Sequence, residues 1–259
     1  MKDRLILVTN DDGVNAKGLK ALIEVAQNFG KVVVVAPTEG QSGMAHAITV
    51  KNPIRLHKVT DTENLKIYSC NGTPVDCVKM AISRIVSRKP DLLLAGINHG
   101  ANSSSSVLYS GTMGATIEGC LYEVPSIGFS LLNFAKDADF TATQHYAKIV
   151  IEEALKNSLP KNVCLNVNIP SVPLEEIKGI RICRQNHGVW REEFDHRTDP
   201  NGHDYYWLTG TFEDMEPHAE DTDEWALRNG YVSVVPVQFD FTAYKFIDEL
   251  KNWKMNNNQ

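Results

Sequence analysis

A chain of 259 residues, 42% of them hydrophobic, is long enough for one large domain or a domain with an appendage. Its formal net charge of -6 argues against a protein that coats nucleic acid, and no apolar run is long enough to span a bilayer. The five cysteines are odd in number and form no CxxC pair, which fits structural thiols in a reduced, cytoplasmic protein; the first residues lack the shape of a signal peptide.

The first element is Leu5-Ile6-Leu7-Val8, four apolar residues that read as a strand buried on both faces, as in a parallel sheet covered by helices. It runs into Thr9-Asn10-Asp11-Asp12-Gly13. Adjacent carboxylates repel, and a dry core has no use for them, whereas a hard divalent cation is held by carboxylate and amide oxygens. The same residue types also make turns and helix caps, so both readings stand at this point. Leu19, Leu22, Ile23, Ala26 and Phe29 then share a helical face, with Gly30 suited to a C-cap. Residues 31–37 are a second buried strand and complete a right-handed βαβ unit. A loop over 38–44 follows, and then a β excursion is expected, with strands near 48–50 and 65–68.

Thr73 and Pro74 fit the N-cap and first position of a helix in which Val75, Val78, Ile82 and Ile85 share a face, ending before Lys89-Pro90. Residues 91–98 form a third buried strand ending in Asn98. A polar loop over 99–109 leads through Ser110-Gly111-Thr112 into a helix containing Met113 and Ile117. Strands over 125–130 and 163–168 flank a helix around 145–155. From about Ile180 aromatics and turn residues become dense (Trp190, Tyr205, Tyr206, Trp207), which suggests projecting β-hairpins. An amphipathic helix near 241–253 and a polar tail, Asn256-Asn257-Asn258-Gln259, close the chain. The fold expected is a single α/β domain: a Rossmann-like, mostly parallel sheet flanked by helices over about 1–178, with a β-rich extension and C-terminal helix over about 179–259.

Parallel strands bring their carboxyl ends to one edge, where open α/β sheets place ligands. Asp11, Asp12, Ser42 and Asn98 can therefore converge, and two carboxylates, a hydroxyl and an amide oxygen suit Mg²⁺ or Mn²⁺ better than zinc. Ser110, Gly111 and Thr112 at a helix N-terminus would offer hydroxyls and free N–H groups to an anion at the same edge. A metal beside an anion hole points to phosphate-ester hydrolysis. His46 and His99 lie in the two loops near this edge, where either can donate to phosphate or stand solvated. The segment 13–20 lacks the GK[ST] order of a phosphate-binding P-loop, and no GxGxxG follows the first strand. HExxH and GxSxG are absent too.

Seven stretches in order resemble the survival protein SurE family. They are Thr9-Asn10-Asp11-Asp12-Gly13; Gln41-Ser42-Gly43; Gly72-Thr73-Pro74-Val75-Asp76; Gly96-Ile97-Asn98-His99-Gly100 with Tyr109-Ser110-Gly111-Thr112; Asn166-Val167-Asn168-Ile169-Pro170; Asp199-Pro200 with Tyr205-Tyr206-Trp207; and Asp221-Thr222-Asp223 with Gly230-Tyr231-Val232-Ser233. The resemblance implies a metal-dependent phosphatase of nucleoside 5'- and 3'-monophosphates, with one divalent cation per subunit held at Asp11, Asp12, Ser42 and Asn98. Asp11 and Asp12 would be the catalytic pair, with substrate contacts from Asn10, Gly43, Ser110, Gly111 and Thr112. It further implies homodimers or homotetramers with exchanged C-terminal segments, and in some members activity on short polyphosphate. Many members carry an Asp-Arg pair where this chain has Thr38-Glu39, a departure at the rim that bears on base preference and polyphosphate activity. Two rivals use the same ligands: a nucleotide-sensing protein without turnover, and a Mn²⁺-dependent nucleotide-sugar transferase.

Overall fold

The computed structural model describes residues 4–191, 194–253 and 255; the polar tail at 256–259 lies outside them. β1 (Leu5–Thr9) lies between β2 (Lys31–Pro37) and β5 (Leu92–His99), parallel to both. The run of apolar residues without alternation has a direct cause in this position. Ile6, Val8, Val32, Val34, Leu92 and Leu94 enter one core, beneath α1 (Lys17–Ala26) and α4 (Thr141–Asn157). Their neighbours Leu7, Val33, Val35, Leu93 and Ala95 enter a second core on the opposite face. Val78 of α2 (Pro74–Met80) and Ala115 of α3 (Gly111–Leu121) pack there. Side chains alternate across each strand while both faces are covered by helices, so the middle of each of these strands is apolar without alternation.

β3 (Leu56–Asp61) and β4 (Leu65–Cys70) form the excursion, and β6 (Ser126–Leu131) and β7 (Val163–Ile169) extend the other flank. Past residue 179 come β8 (Ile180–Ile182), β9 (Gly188–Arg191), β10 (Phe194–Thr198), β11 (Asp204–Leu208), β12 (Thr211–Asp214), α5 (Asp223–Arg228), β13 (Val232–Gln238) and α6 (Tyr244–Lys251). Among the described residues the main sheet has nine strands in the order β3-β4-β2-β1-β5-β6-β7-β13-β8. β4 through β7 in that order run parallel; β3 and β13 are antiparallel to their inner neighbours. β10 pairs with β11 and β9 with β12, the projecting hairpins expected from the aromatic-rich stretch.

The expected mostly parallel α/β sheet flanked by helices is present, with C-terminal strands and a terminal helix. Three local expectations differ. Residues 48–50 are not a strand: the Thr49 N–H is taken by the Asp76 carboxylate at 3.1 Å, and Ile48 and Val50 are exposed. The excursion's first strand is instead β3, paired antiparallel with β4. The helix from Pro74 ends at Met80 and continues only as a π-helical turn, Ala81–Ile85. β13 is a strand that the patterning does not single out, because Pro236 sits within it. Its residues pair with β7 on one side and β8 on the other, and Pro236 itself is exposed.

Asp76 ties the second loop to the fold. It completes a capping box with Thr73 and accepts from the Thr49 and Thr73 N–H groups while being almost fully buried. Asp76→Ala leaves those two donors without a partner. We predict a loss of about 2–4 kcal/mol in urea unfolding, from about 1–3 kcal/mol per orphaned buried group. A loss below about 0.5 kcal/mol would contradict this.

Candidate active site

The carboxyl ends of β2, β1 and β5 lie side by side, and their loops enclose a cavity of about 890 Å³. Asp11, Asp12, Ser42, Gly43, Asn98 and Ser110 all border it, together with His99, Asn102, Ser106, Tyr109, Phe134 and Trp190. Asp11, Asp12, Ser42, Asn98 and Ser110, up to 99 positions apart in sequence, are thus gathered by strand adjacency.

The turn after β1 is built inward. Asn10 Nδ2 donates to the Gly13 carbonyl at 3.0 Å, and its Oδ1 is buried with no hydrogen-bond partner. The Asp11 carbonyl accepts from the Gln41 N–H at 2.7 Å, which docks the loop carrying Ser42. Asp11 Oδ1 accepts from the Thr112 hydroxyl at 2.5 Å. That closeness needs a glycine beside Thr112: a Cβ on Gly111 would stand 2.8 Å from the Asp11 Cβ. Asp12 Oδ2 faces the His99 N–H at 3.4 Å. Asn98 Nδ2 donates to the Gly100 carbonyl at 2.8 Å, so its amide oxygen is the atom left to ligate. Ser110 caps α3, its hydroxyl accepting from the Met113 N–H at 3.0 Å.

Not every residue singled out in the sequence reaches the cavity wall. Asn10, Gly111 and Thr112 are buried behind it, and Thr112 positions the Asp11 carboxylate. His46 is turned away, its Nε2 2.9 Å from Glu118 Oε2. Glu118 also holds Lys79 at 2.6 Å. Burial pushes the Glu118 carboxyl up, but the His46 and Lys79 hydrogen bonds outweigh it and hold it below the usual range. His99 does border the cavity, with Nδ1 3.2 Å from the Asn133 carbonyl and its ring edge-on to Phe140. Sequence patterning gave no signal for Phe134, nor for the way Asp223 accepts from the Ser104 and Asn186 N–H groups at 2.9 Å and so pins the third loop.

Electrostatically the pair at 11 and 12 is raised, as burial also raises Asp223 and Glu224. Burial raises the Asp11 carboxyl to about 6 against the Thr112 hydrogen bond, and the Asp12 charge adds to the rise. Burial raises Asp12 as well, opposed by His99. No Lys or Arg pairs with either among the described residues. No three His, Cys, Asp or Glu side chains gather to hold a metal there either. A cation held among Asp11, Asp12, Asn98 and Ser42 would meet oxygen donors only, which suit a hard ion better than zinc.

The raised Asp11 gives a pH prediction for the metal-free protein. The folded state holds this proton more tightly than the unfolded chain, so charged Asp11 opposes folding above about pH 6, and the opposition fades as pH falls towards 3.8. In EDTA at pH 7.5, Asp11→Asn should be more stable than wild type by up to about 3 kcal/mol, at 1.36 kcal/mol per pKa unit. The gap should close as pH drops from about 6 to about 4; a gap constant with pH in chemical unfolding would contradict this.

Comparison with known proteins gives the family and the fold. The family model described as Survival protein SurE matches residues 6–192. A protein named 5'-nucleotidase SurE from Christiangramia forsetii is 54% identical over 257 residues, covering 98% of each chain. One of the same name from Flavobacterium johnsoniae is 54% identical over 259 residues, covering 99% of this chain and 100% of its own. The crystal structure of SurE protein from Aquifex aeolicus superposes with a TM-score of 0.81 at 37% identity, covering 95% of this chain and 98% of that one. The chain belongs to the survival protein SurE family.

Proposed function

We propose that this chain is a phosphomonoesterase that hydrolyses nucleoside 5'- and 3'-monophosphates with one divalent cation, Mg²⁺ or Mn²⁺, per subunit, and that it works in the cytoplasm. The single observation that carries the metal is the adjacent pair of buried Asp11 and half-buried Asp12, both raised by burial and paired with no lysine or arginine among the described residues. The relatives named 5'-nucleotidase SurE, about half identical over nearly the whole chain, support the substrate class. Activity on short polyphosphate is a secondary expectation of the same site.

Asp11, Asp12, Asn98 and Ser42 would hold the cation. When bound, it supplies positive charge to the phosphoryl oxygens and acidifies a water. Thr112 keeps the Asp11 carboxylate aimed, through the 2.5 Å hydrogen bond. One of the two carboxylates, Asp11 or Asp12, would take the proton of the attacking water, unless the cation alone acidifies it enough. Ser110, on the cavity wall at the start of α3, offers its hydroxyl to the phosphate where the helix dipole favours an anion. Gly43, at φ +77 with open space where a Cβ would stand, leaves room for the substrate against the backbone.

Asp12→Asn keeps shape but removes a charge from the cation's surroundings. Phosphate release from a nucleoside monophosphate with Mn²⁺ should fall at least about a hundredfold, since each 1.36 kcal/mol is about tenfold and a metal contributes several. Asn98→Ala should lose less, having removed a neutral ligand. Near wild-type release from Asp12→Asn would end the metal reading, and binding without release in wild type would favour a sensor. Diesters should be cleaved far more slowly than monoesters.

The hairpins and α6 leave Phe194, Tyr206, Trp207, Leu208, Phe241 and Tyr244 more than half exposed. Large apolar surface of this kind is covered by a partner, and homodimers are the commonest assembly. Our reading is a homodimer or homotetramer with exchanged C-terminal segments. Light scattering should give a multiple of 28.9 kDa at micromolar concentration; a monomer mass would contradict this.

A further inference from the structure

The cavity is larger than its phosphate end requires. Its volume of about 890 Å³ falls towards the top of the roughly 300–1,000 Å³ range of small-molecule sites. Asp11, Asp12, Ser42, Asn98 and Ser110 are enough for a cation and one phosphoryl group. Much of the remaining wall is apolar or aromatic: Tyr109, Phe134, Trp190 and Leu208. Phe134 is 83% exposed and Trp190 40% exposed. Large rings left at the mouth of a polar cavity mark a ligand-binding surface.

Both rings are braced. The Phe134 ring lies over Gly100, where an added Cβ would come within 2.3 Å of Cε1. Trp190, on β9, is held edge-on by Phe212 of β12, with ring centroids 5.8 Å apart. A nucleoside monophosphate carries its flat π-face at the end remote from the phosphate. We propose that Phe134 and Trp190 form the platform on which the substrate's base stacks; this rests on the nucleotidase reading above. Stacking uses the face that every base has, so the platform accepts several bases and favours the larger purines.

The test compares adenosine 5'-monophosphate with ribose 5-phosphate, which keeps the sugar and phosphate but lacks the base. The ratio of their kcat/KM values is measured for wild type, Phe134→Ala, Phe134→Tyr and Trp190→Leu, and calorimetric affinities for both ligands give the same ratio without turnover. In Phe134→Ala and Trp190→Leu the ratio should fall about 5- to 150-fold, the range that base–aromatic stacking gives on truncation. Phe134→Tyr should retain it. Phe134 is so exposed that its replacement leaves folding intact, which keeps the test informative. An unmoved ratio in either truncation overturns the platform, including the case where only the subunit mass changes and the ring belongs to a contact between copies. If wild type releases no phosphate yet binds the nucleotide more tightly than the sugar phosphate through these rings, the nucleotidase reading fails and the platform stands. If the affinities show no such preference, the platform falls whatever the activity.

Discussion

Two adjacent carboxylates at the end of a central strand, Asp11 buried and Asp12 half-buried, are the constraint that the rest of the site answers. A buried carboxylate is tolerated when it is paired or richly hydrogen-bonded. The other buried acids of this chain meet that condition. Glu118 holds Lys79 and His46, Asp76 accepts from two backbone N–H groups, and Asp223 accepts from the Ser104, Asn186 and Glu224 N–H groups. Asp11 takes the Thr112 hydroxyl and backbone N–H groups at 11 and 112, and Asp12 faces one N–H at 3.4 Å, with no lysine or arginine beside either among the described residues. What distinguishes the pair is that two carboxylates adjoin on one cavity wall, the place where the proposed cation would sit.

The satisfied acids in turn hold the loops that carry the remaining ligands. Asp76 and Glu118 fasten residues 46–49 to α2 and α3, behind Ser42 and Gly43. Gly114 lets α3 approach the same loop, since a Cβ there would meet the Ala45 carbonyl at 2.2 Å. Asp223 and Glu224 hold Ser103 and Ser104, in the loop between Asn98 and Ser110. Acidic groups outside the cavity thus fix the acidic groups inside it.

Much of this was legible in the sequence. The unbroken apolar runs at 5–8, 32–36 and 92–95 could only be strands covered on both faces, and strand adjacency then forced Asp11, Asp12, Ser42 and Asn98 to one edge. What sequence could not supply was direction. Thr112 is two residues from Ser110 of the cavity wall, yet its side chain serves Asp11, because a helix turn rotates it off that wall. His46 looks like a site histidine by its loop, but its partner Glu118 is 72 residues away. Val50 and Ile48 alternate as a strand would, and a long-range bond to Asp76 overrides the pattern. Phe134 has no periodic or motif context, and only the cavity reveals it.

The central claim is that the chain places its oxygen donors around a single hard cation. The most direct measurement is anomalous diffraction from crystals grown with Mn²⁺. The account predicts one strong peak per subunit within about 2.5 Å of carboxylate oxygens from both Asp11 and Asp12, with the Asn98 amide oxygen also within reach. No peak at saturating Mn²⁺, or a peak held by other residues, would contradict it.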